Sequence, residues 1–158
     1  MIRIVDPAEC APQLAQLLRA CVEDGASVSF MAGLTQERAE AFWRKETARV
    51  VFVVGDFDGT ASLLLDQPEN QPHRGELAKM LVHPRARRQG LGRVLFEAVE
   101  TEARLRGKTL LTFDTMSGGA AERLYLRCGC TKSGEIPGYA LWPHGGPPGA
   151  TSVFFKLL

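Results

Sequence analysis

The most restrictive feature of the sequence is a change of hydrophobic pattern near residue 90. Residues 76–82 form a β-rich run that His83-Pro84 stops. Glycine then occupies two alternate positions, Gly90 and Gly92, and helical spacing of apolar residues starts at once at Leu91. A strand that leads through a glycine turn straight into an amphipathic helix is typical of a sheet covered by helices.

The rest of the chain alternates between the same two patterns. Apolar and β-branched runs predict strands at residues 2–5, 49–56, 60–66, 76–82, 109–113, 133–141 and 152–157. Helical spacing predicts helices that start near residues 9–11, after Thr35 as N-cap, at Leu91 and at Ala120. This order predicts one α/β domain over residues 1–158, with a mixed sheet of about seven strands and helices on both faces.

Composition excludes several classes of protein. The 158 residues include 19 Lys and Arg against 18 Asp and Glu, a net charge of +1, and 45% are apolar, which is ordinary for a globular domain. The apolar runs, such as residues 50–54, are far shorter than the roughly 20 residues that span a bilayer. The N-terminus lacks a secretory signal pattern, so we expect a cytoplasmic protein. Because the net charge is close to zero, we expect it to bind neither membranes nor nucleic acids.

The charge is nevertheless concentrated around the glycine turn. No acidic residue lies between Glu76 and Glu97. The cations of this window are Lys79, Arg85, Arg87, Arg88 and Arg93. Because N–H groups at a helix N-terminus attract anions, the turn predicts a phosphate or pyrophosphate site, with a plain strand-to-helix connection as the alternative. It matches neither the P-loop nor the G-x-G-x-x-G pattern, since Leu95 replaces the third glycine.

Two motifs together resemble a known family. Arg87-x-x-Gly90-x-Gly92 is similar to the [QR]-x-x-G-x-[GA] acyl-CoA loop of the GCN5-related N-acetyltransferases (GNAT). Ala121-x-x-x-Tyr125-x-x-x-Gly129 resembles the second signature of that family, and the order of predicted elements is also the family's order. The resemblance covers residues 2–157 and implies the GNAT acyl-CoA N-acyltransferase fold, with acetyl-CoA as the acyl donor.

The resemblance also implies where acetyl-CoA binds. The backbone of residues 80–82, at the end of the predicted strand, would pair with the pantetheine arm, and the glycine turn would hold the pyrophosphate. The residues concerned are Met80, Leu81, Val82, Arg87, Arg88, Gln89, Gly90, Leu91, Gly92 and Arg93. The chain departs from the family pattern in three places: Arg88 replaces a frequent glycine, Gly118 a frequent asparagine, and Cys130 the usual aromatic residue.

An amine acceptor constrains the catalytic residues. An alkylammonium with a pKa near 10 is only about one part in a thousand neutral at pH 7, so its attack on a thioester requires a base. By resemblance Tyr125 is the general acid, and Glu76 and Asp114 are the candidate bases, alone or together through a water. Each also has a structural alternative: Tyr125 as core, Glu76 as a solvated strand charge and Asp114 as a helix cap.

A narrower resemblance concerns the acceptor. Phe113-Asp114-Thr115, residues 134–140 and residues 151–156 are similar to the tabtoxin-resistance-protein branch, which acetylates a small toxic amine resembling an amino acid. It implies a small primary amine as partner of acetyl-CoA and leaves a homodimer open. The alternatives are acetylation of a protein or peptide amine, and a module that binds acyl-CoA without catalysis.

Three further expectations concern other residues. Cys128-Gly129-Cys130 lacks a second Cys or His pair at zinc spacing, so we expect no metal and four free thiols, with Cys10 and Cys21 in the core. We expect the acceptor pocket to be shaped by the loop around Phe30, by Trp43 and by residues 139–142, although the large apolar side chains among them are also typical of plain core.

Overall fold

The computed structural model describes residues 1–158 and contains one seven-stranded sheet. The strands are β1 (Ile2–Val5), β2 (Arg49–Val54), β3 (Gly59–Leu64), β4 (Arg74–Val82), β5 (Leu110–Met116), β6 (Thr131–Ala140) and β7 (Gly149–Leu157). The helices are α1 (Ala11–Glu23), α2 (Gln36–Arg44), α3 (Leu91–Leu105) and α4 (Ala120–Arg127), with a 3₁₀ turn at Pro84–Ala86. The sheet order is β1-β2-β3-β4-β5-β7-β6, which confirms the predicted mixed α/β architecture.

The two central strands are paired over only a short distance. All neighbouring strands are antiparallel except β4 and β5, which are parallel. Their register joins Arg74 to Leu110 and Glu76 to Thr112 and ends there. Beyond Glu76 both strands continue without pairing with each other, so a gap opens in the middle of the sheet.

A β-bulge changes the direction of side chains in β4. Ser62 pairs with Ala78 and Thr60 with Leu81, so β4 contains one residue more than β3 between these positions. Lys79 occupies the bulge with φ of 48°. A left-handed backbone costs a non-glycine residue about 1–2 kcal/mol. Because the bulge adds one residue to β4, side chains after Ala78 point to the opposite face from the one that regular strand alternation predicts.

Two apolar cores cover the two faces of the sheet. One contains Phe96 and Val99 of α3, Tyr125 of α4 and inward residues of the central strands, and we call it the α3/α4 core. The other contains Leu14 and Leu18 of α1, Trp43 of α2 and residues from β2 and β4, and we call it the α1/α2 core. The helices on both faces are therefore held by burial of their apolar stripes.

Local sequence signals account for most element boundaries. The Thr35 Oγ1 accepts a hydrogen bond from the Arg38 N–H at 3.2 Å, which confirms Thr35 as the N-cap of α2. The predicted strands at residues 109–113 and 152–157 were too short, because β5 and β7 pair along their whole length out to Met116 and Thr151. No helix is long and apolar enough to cross a membrane.

The first turn of α3 packs closely against α4 because residue 92 has no side chain. A Cβ built on Gly92 would lie 2.8 Å from the Leu124 Cδ2 atom. Because this methyl group ends a half-buried side chain that can shift, we expect the cost of the shift to cancel most of the gain from replacing a helical glycine, so that Gly92→Ala changes the free energy of unfolding by less than about 0.5 kcal/mol. In a Leu124→Ala background the same change is expected to raise it by about 0.5–1 kcal/mol, because alanine favours a helix more than glycine does.

Chemical denaturation of the four proteins of this cycle measures the coupling. An equal effect of Gly92→Ala in both backgrounds would contradict the packing explanation.

Candidate active site

Glu76 and Asp114 lie on one face of the sheet, on opposite sides of the gap between β4 and β5. Strand alternation turns them away from Leu77 and Phe113, which belong to the α3/α4 core. Both carboxylates line a cavity of about 220 Å³. The other residues lining the cavity are Thr112, Phe113, Ile136, Tyr139, Thr151 and Val153. The structure thus brings together the two candidate bases from separate strands.

The two carboxylates have different partners. The Asp114 Oδ2 accepts a hydrogen bond from the Thr151 Oγ1 at 2.8 Å. The Glu76 Oε2 lies 3.6 Å from the Arg74 Nη1, which also donates to the Thr112 Oγ1 at 2.7 Å. A carboxylate has about four lone-pair sites. Both groups therefore retain free positions that can accept a proton from a ligand in the cavity.

Tyr125 lies on the opposite face of the sheet, in the α3/α4 core. Its ring centroid is 4.5 Å from that of Phe113 and 5.9 Å from that of Phe154. Its hydroxyl donates to the Met80 Sδ at 3.6 Å. Tyr125 therefore spans the gap from β5 to β4, and its only polar atom rests on a weak acceptor.

Burial strongly affects the phenol. It raises the pKa of Tyr125 well above its usual value, with smaller contributions in the same direction from Cys130, Cys128 and Asp114. Because burial disfavours the phenolate, the hydroxyl keeps its proton at physiological pH. Tyr125 is therefore available as a hydrogen-bond donor to a negative charge that develops in the gap.

The edge of β4 that faces the gap is free for a ligand. Leu81 and Val82 pair with β3 on the other edge, but β5 gives them no partner. The Val82 carbonyl accepts hydrogen bonds from the Arg87 Nε at 3.3 Å and the Cys21 Sγ at 3.5 Å. An exposed strand edge can pair with an extended chain, so residues 80–82 suit the elongated ligand that the resemblance implied.

The turn before α3 presents a row of unused donors. Arg88 and Gly90 both have left-handed backbones, with φ of 63° and 79°. None of the N–H groups of residues 88–92 donates a hydrogen bond within the protein. A Cβ on Gly90 would meet nothing within 4 Å, so the space beside it is open. These features fit a phosphate or pyrophosphate at the N-terminus of α3.

The glycines of this turn have different roles. Gly90 provides the left-handed N-cap of α3 and leaves space for a ligand. Gly92 leaves room for Leu124, because the Leu124 side chain lies where a side chain of residue 92 would be. Its N–H group, like that of Gly90, has no hydrogen-bond acceptor within the protein.

Most basic side chains of the window have partners within the protein. Arg85 pairs with Asp58 at 3.1 Å, and Arg93 with Glu97 at 2.7 Å. Arg87 pairs with Asp24 at the end of α1. Arg88 is exposed and forms no ion pair, and Gln89 and Leu91 contribute to the turn through the backbone. Arg88 is therefore the cation of the turn that is free to contact an anion.

Lys79 was counted among the cations of the turn, but the structure places its ammonium in another part of the site. Its Nζ donates to the Ser29 Oγ at 3.2 Å and lies 5.6 Å from the centroid of the Phe42 ring. Both partners are on the α1/α2 side, the face that carries Glu76 and Asp114. No sequence signal indicated this, because the bulge that redirects Lys79 arises from the pairing of β4 with β3.

Two loops meet on this face. The Ala32 N–H, in the loop between α1 and α2, donates to the Pro143 carbonyl in the loop between β6 and β7 at 2.9 Å. The His144 Nε2 and the Glu23 carbonyl oxygen lie 2.7 Å apart. Tyr139 lines the cavity as expected, whereas Trp43 is fully buried and belongs to the α1/α2 core.

The loop between β5 and α4 is held by a carboxylate. Glu122 accepts hydrogen bonds from the Gly118 N–H, the Lys132 ammonium and the Ser152 hydroxyl. These donors, the Gly118 N–H foremost, lower the pKa of Glu122. Gly118 has φ of 80°. Glycine adopts this left-handed conformation without steric cost.

The cysteines are free thiols. Cys21 and Cys130 are buried, whereas Cys10, expected in the core, is only half-buried next to the start of α1. Burial raises the pKa of Cys21 to about 11 and that of Cys130 to about 12. These thiols are therefore poor nucleophiles. No three His, Cys, Asp or Glu side chains form a group that could hold a metal ion.

Several solved structures have a similar fold. The yncA protein from Salmonella typhimurium, provisionally assigned as an acetyltransferase and solved with acetyl-CoA, matches with a TM-score of 0.81 and 24% identity, over 100% of this chain and 93% of that one. A ribosomal-protein-alanine N-acetyltransferase from Brucella melitensis matches with a TM-score of 0.80 and 24% identity, over 100% of this chain and 99% of that one. A protein provisionally assigned as a phosphinothricin N-acetyltransferase matches with a TM-score of 0.83 and 16% identity, over 100% of this chain and 98% of that one.

The sequence itself matches the model of the acetyltransferase (GNAT) family over residues 13–130. This range starts in α1, contains the turn before α3 and ends just after α4. It therefore includes Glu76, Asp114 and Tyr125 together with the edge of β4. Because the match covers most of the chain, the protein belongs to the GNAT family of acetyltransferases.

Proposed function

We propose that this chain is a single-domain N-acetyltransferase that transfers an acetyl group from acetyl-CoA to a primary amine of a small molecule. One observation carries this proposal: the gap between β4 and β5 has two carboxylates on one face and a buried neutral phenol on the other. Acyl transfer from a thioester to an amine needs a proton acceptor for the amine and is assisted by a hydrogen-bond donor to the departing thiolate, and the two faces of the gap offer these groups.

Acetyl-CoA would bind along the free edge of β4 and at the turn before α3. The backbone of Met80, Leu81 and Val82 offers hydrogen bonds to an extended arm, and the N–H groups of residues 88–92 suit a pyrophosphate. Arg88 adds a positive charge there, while Arg87 and Arg93 shape the turn through their own ion pairs. When bound, acetyl-CoA supplies the acetyl group as a thioester.

Glu76 and Asp114 deprotonate the acceptor. The ammonium form of an amine has no lone pair, so one proton has to leave before the nitrogen can bond to the carbonyl carbon. The free carboxylate oxygens of Glu76 and Asp114 lie on the face from which the amine would enter. Either group can accept this proton directly, or both can do so through a water.

Tyr125 stabilises the departing sulfur. As the carbon–sulfur bond breaks, negative charge develops on the sulfur, on the side of the gap away from the carboxylates. The Tyr125 hydroxyl, which donates only to the Met80 Sδ, can donate to this sulfur instead. Because burial keeps the phenol neutral, its hydrogen bond is available whenever the thiolate forms.

The joined loops over the acceptor face favour a small acceptor. The hydrogen bond from Ala32 to Pro143 links the two loops that border this face, which leaves less room for an extended peptide than separate loops would. The resemblance to the tabtoxin-resistance branch adds an amino-acid-like toxin as the finer candidate. The description of one similar structure as a phosphinothricin N-acetyltransferase is compatible with that candidate.

An assay of CoA release with a panel of amines tests the function. The panel contains amino acids, β-lactam amino acids, aminoglycosides and peptides with a free N-terminus. We expect turnover with small amines. Activity with peptides alone would contradict the proposal in favour of a protein N-acetyltransferase, and thermal stabilisation by acetyl-CoA without any turnover would contradict it in favour of a sensor.

Removal of each carboxylate identifies the base. We expect Glu76→Gln or Asp114→Asn, or both, to lower kcat/KM by about 100-fold and to abolish its rise with pH, since an amide cannot accept the proton. The matched controls are Glu69→Gln and Asp66→Asn, two exposed carboxylates outside the cavity. A normal pH–rate profile in the double variant Glu76→Gln/Asp114→Asn would show that neither carboxylate is the base.

The raised pKa of Tyr125 predicts a specific pH dependence. A proton donor with a raised pKa stays protonated as the pH increases, and its contribution is lost only above that raised pKa. We therefore expect Tyr125→Phe to lower kcat by about 100-fold and equally at every pH from about 6 to about 10. The thermal stability of the variant checks that the core is intact. A loss confined to one end of this pH range would contradict the assignment.

The variant Arg88→Gly tests whether the Arg88 side chain contacts an anion. Arg88→Gly relieves a left-handed backbone at an arginine but removes the free cation of the turn. We expect no loss of thermal stability, an increase of the KM for acetyl-CoA by about fivefold, as for an exposed ion pair, and a weaker dependence of that KM on salt. An unchanged KM and salt dependence would show that the Arg88 side chain does not contact the anion.

A further inference from the structure

Lys79 has an unusual place in the fold. It is the extra residue of the β4 bulge, and its backbone is left-handed although it is not a glycine, which is a strained conformation. The bulge turns its side chain to the face that carries Glu76 and Asp114. Met80, the next residue, packs against the α3/α4 core and contacts Tyr125. The bulge therefore delivers one side chain to each face of the gap.

The Lys79 ammonium is only partly satisfied. Its one hydrogen bond goes to the Ser29 hydroxyl, and the Phe42 ring adds a cation–π contact. It takes part in none of the ion pairs of the protein. A lysine that is half-buried normally has a carboxylate or several acceptors. Lys79 therefore retains donors for a further partner.

The charges around it limit what that partner can be. Burial lowers the pKa of Lys79, while the nearby Asp114 and Glu76 carboxylates act in the opposite direction and Arg49 adds a smaller lowering effect. The contacts of Lys79 with Ser29 and Phe42 place its ammonium on the same face as the two carboxylates, and no ion pair joins it to either of them. A ligand that matches this pattern has a positive group and a negative group.

We propose that Lys79 binds the carboxylate of the acceptor, so that the enzyme selects amino acids and their close analogues over amines without an anionic group. The inference rests on the proposed function, since the ammonium of the same ligand would face Glu76 and Asp114. Ser29 and Phe42 contact the lysine side chain and act as positioning residues for it. The same ammonium repels a polycationic amine such as an aminoglycoside.

Matched pairs of acceptors test this inference. Each pair is an L-amino acid and its carboxamide, which differ in the carboxylate but keep the same side chain. The variants are Lys79→Met, Lys79→Asn, which tolerates the left-handed backbone, and Lys79→Arg, which keeps the charge. Lys45→Met is the control, because Lys45 is exposed and its side chain makes no hydrogen bond or ion pair. Each pair is compared between variants, so that the different basicity of acid and amide cancels.

For the uncharged variants we expect kcat/KM to fall at least tenfold for the amino acids, mainly through KM, and to change less than about threefold for the carboxamides. Lys79→Arg should restore much of the preference for the acids, and Lys45→Met should behave as wild type. Equal losses for acids and amides, or no loss for either, would overturn the inference.

A binding measurement separates this inference from the proposed function. In the presence of CoA, N-acetyl-L-alanine has a carboxylate but cannot be acetylated again at nitrogen. We expect it to raise the melting temperature of the wild type and of Lys79→Arg, but not of Lys79→Met or Lys79→Asn. If no amine is acetylated, the proposed function fails, and the inference then depends on this binding alone. No shift in the wild type, or the same shift in all variants, would overturn it.

Discussion

The site depends on how briefly β4 and β5 are paired. Parallel pairing ends at Glu76 and Thr112, and from there the backbone edges of both strands lack each other as partners. Tyr125 reaches across the opening, with its ring against Phe113 of β5 and its hydroxyl on the sulfur of Met80 of β4. The interruption of a central sheet leaves hydrogen-bonding groups without strand partners, and such groups need a ligand or water. The gap therefore offers unpaired backbone groups to which a ligand can bind.

The same gap separates the candidate proton acceptors from the candidate hydrogen-bond donor. Strand alternation places Glu76 and Asp114 on the α1/α2 side, whereas helix α4 places Tyr125 on the α3/α4 side. An incoming amine and a departing thiolate would therefore meet opposite chemical environments: one polar and able to accept a proton, the other apolar and able to donate a hydrogen bond. The turn before α3 lies at the end of β4, so the edge of that strand leads from the anion site to the gap.

The resemblance to the GNAT family implied the three residues on either side of the gap, whereas local patterns predicted the elements and the turn before α3. These signals lie within short windows, because hydrophobic period, caps and glycine turns are properties of neighbouring residues. The sequence did not reveal the direction of Lys79, which depends on a bulge formed against β3. It also did not reveal that Arg87 pairs with Asp24, 63 residues away, or that Gly92 accommodates Leu124. Such contacts depend on the folded arrangement of distant segments.

Hydrogen–deuterium exchange with and without acetyl-CoA tests most directly whether the gap and the turn form the donor site. The free N–H groups of residues 88–92 should exchange fast in the protein alone and become protected on binding. Protection is also expected along residues 80–82, at the edge of β4 that faces the gap. Binding of acetyl-CoA that leaves both segments unprotected would contradict this account of the structure.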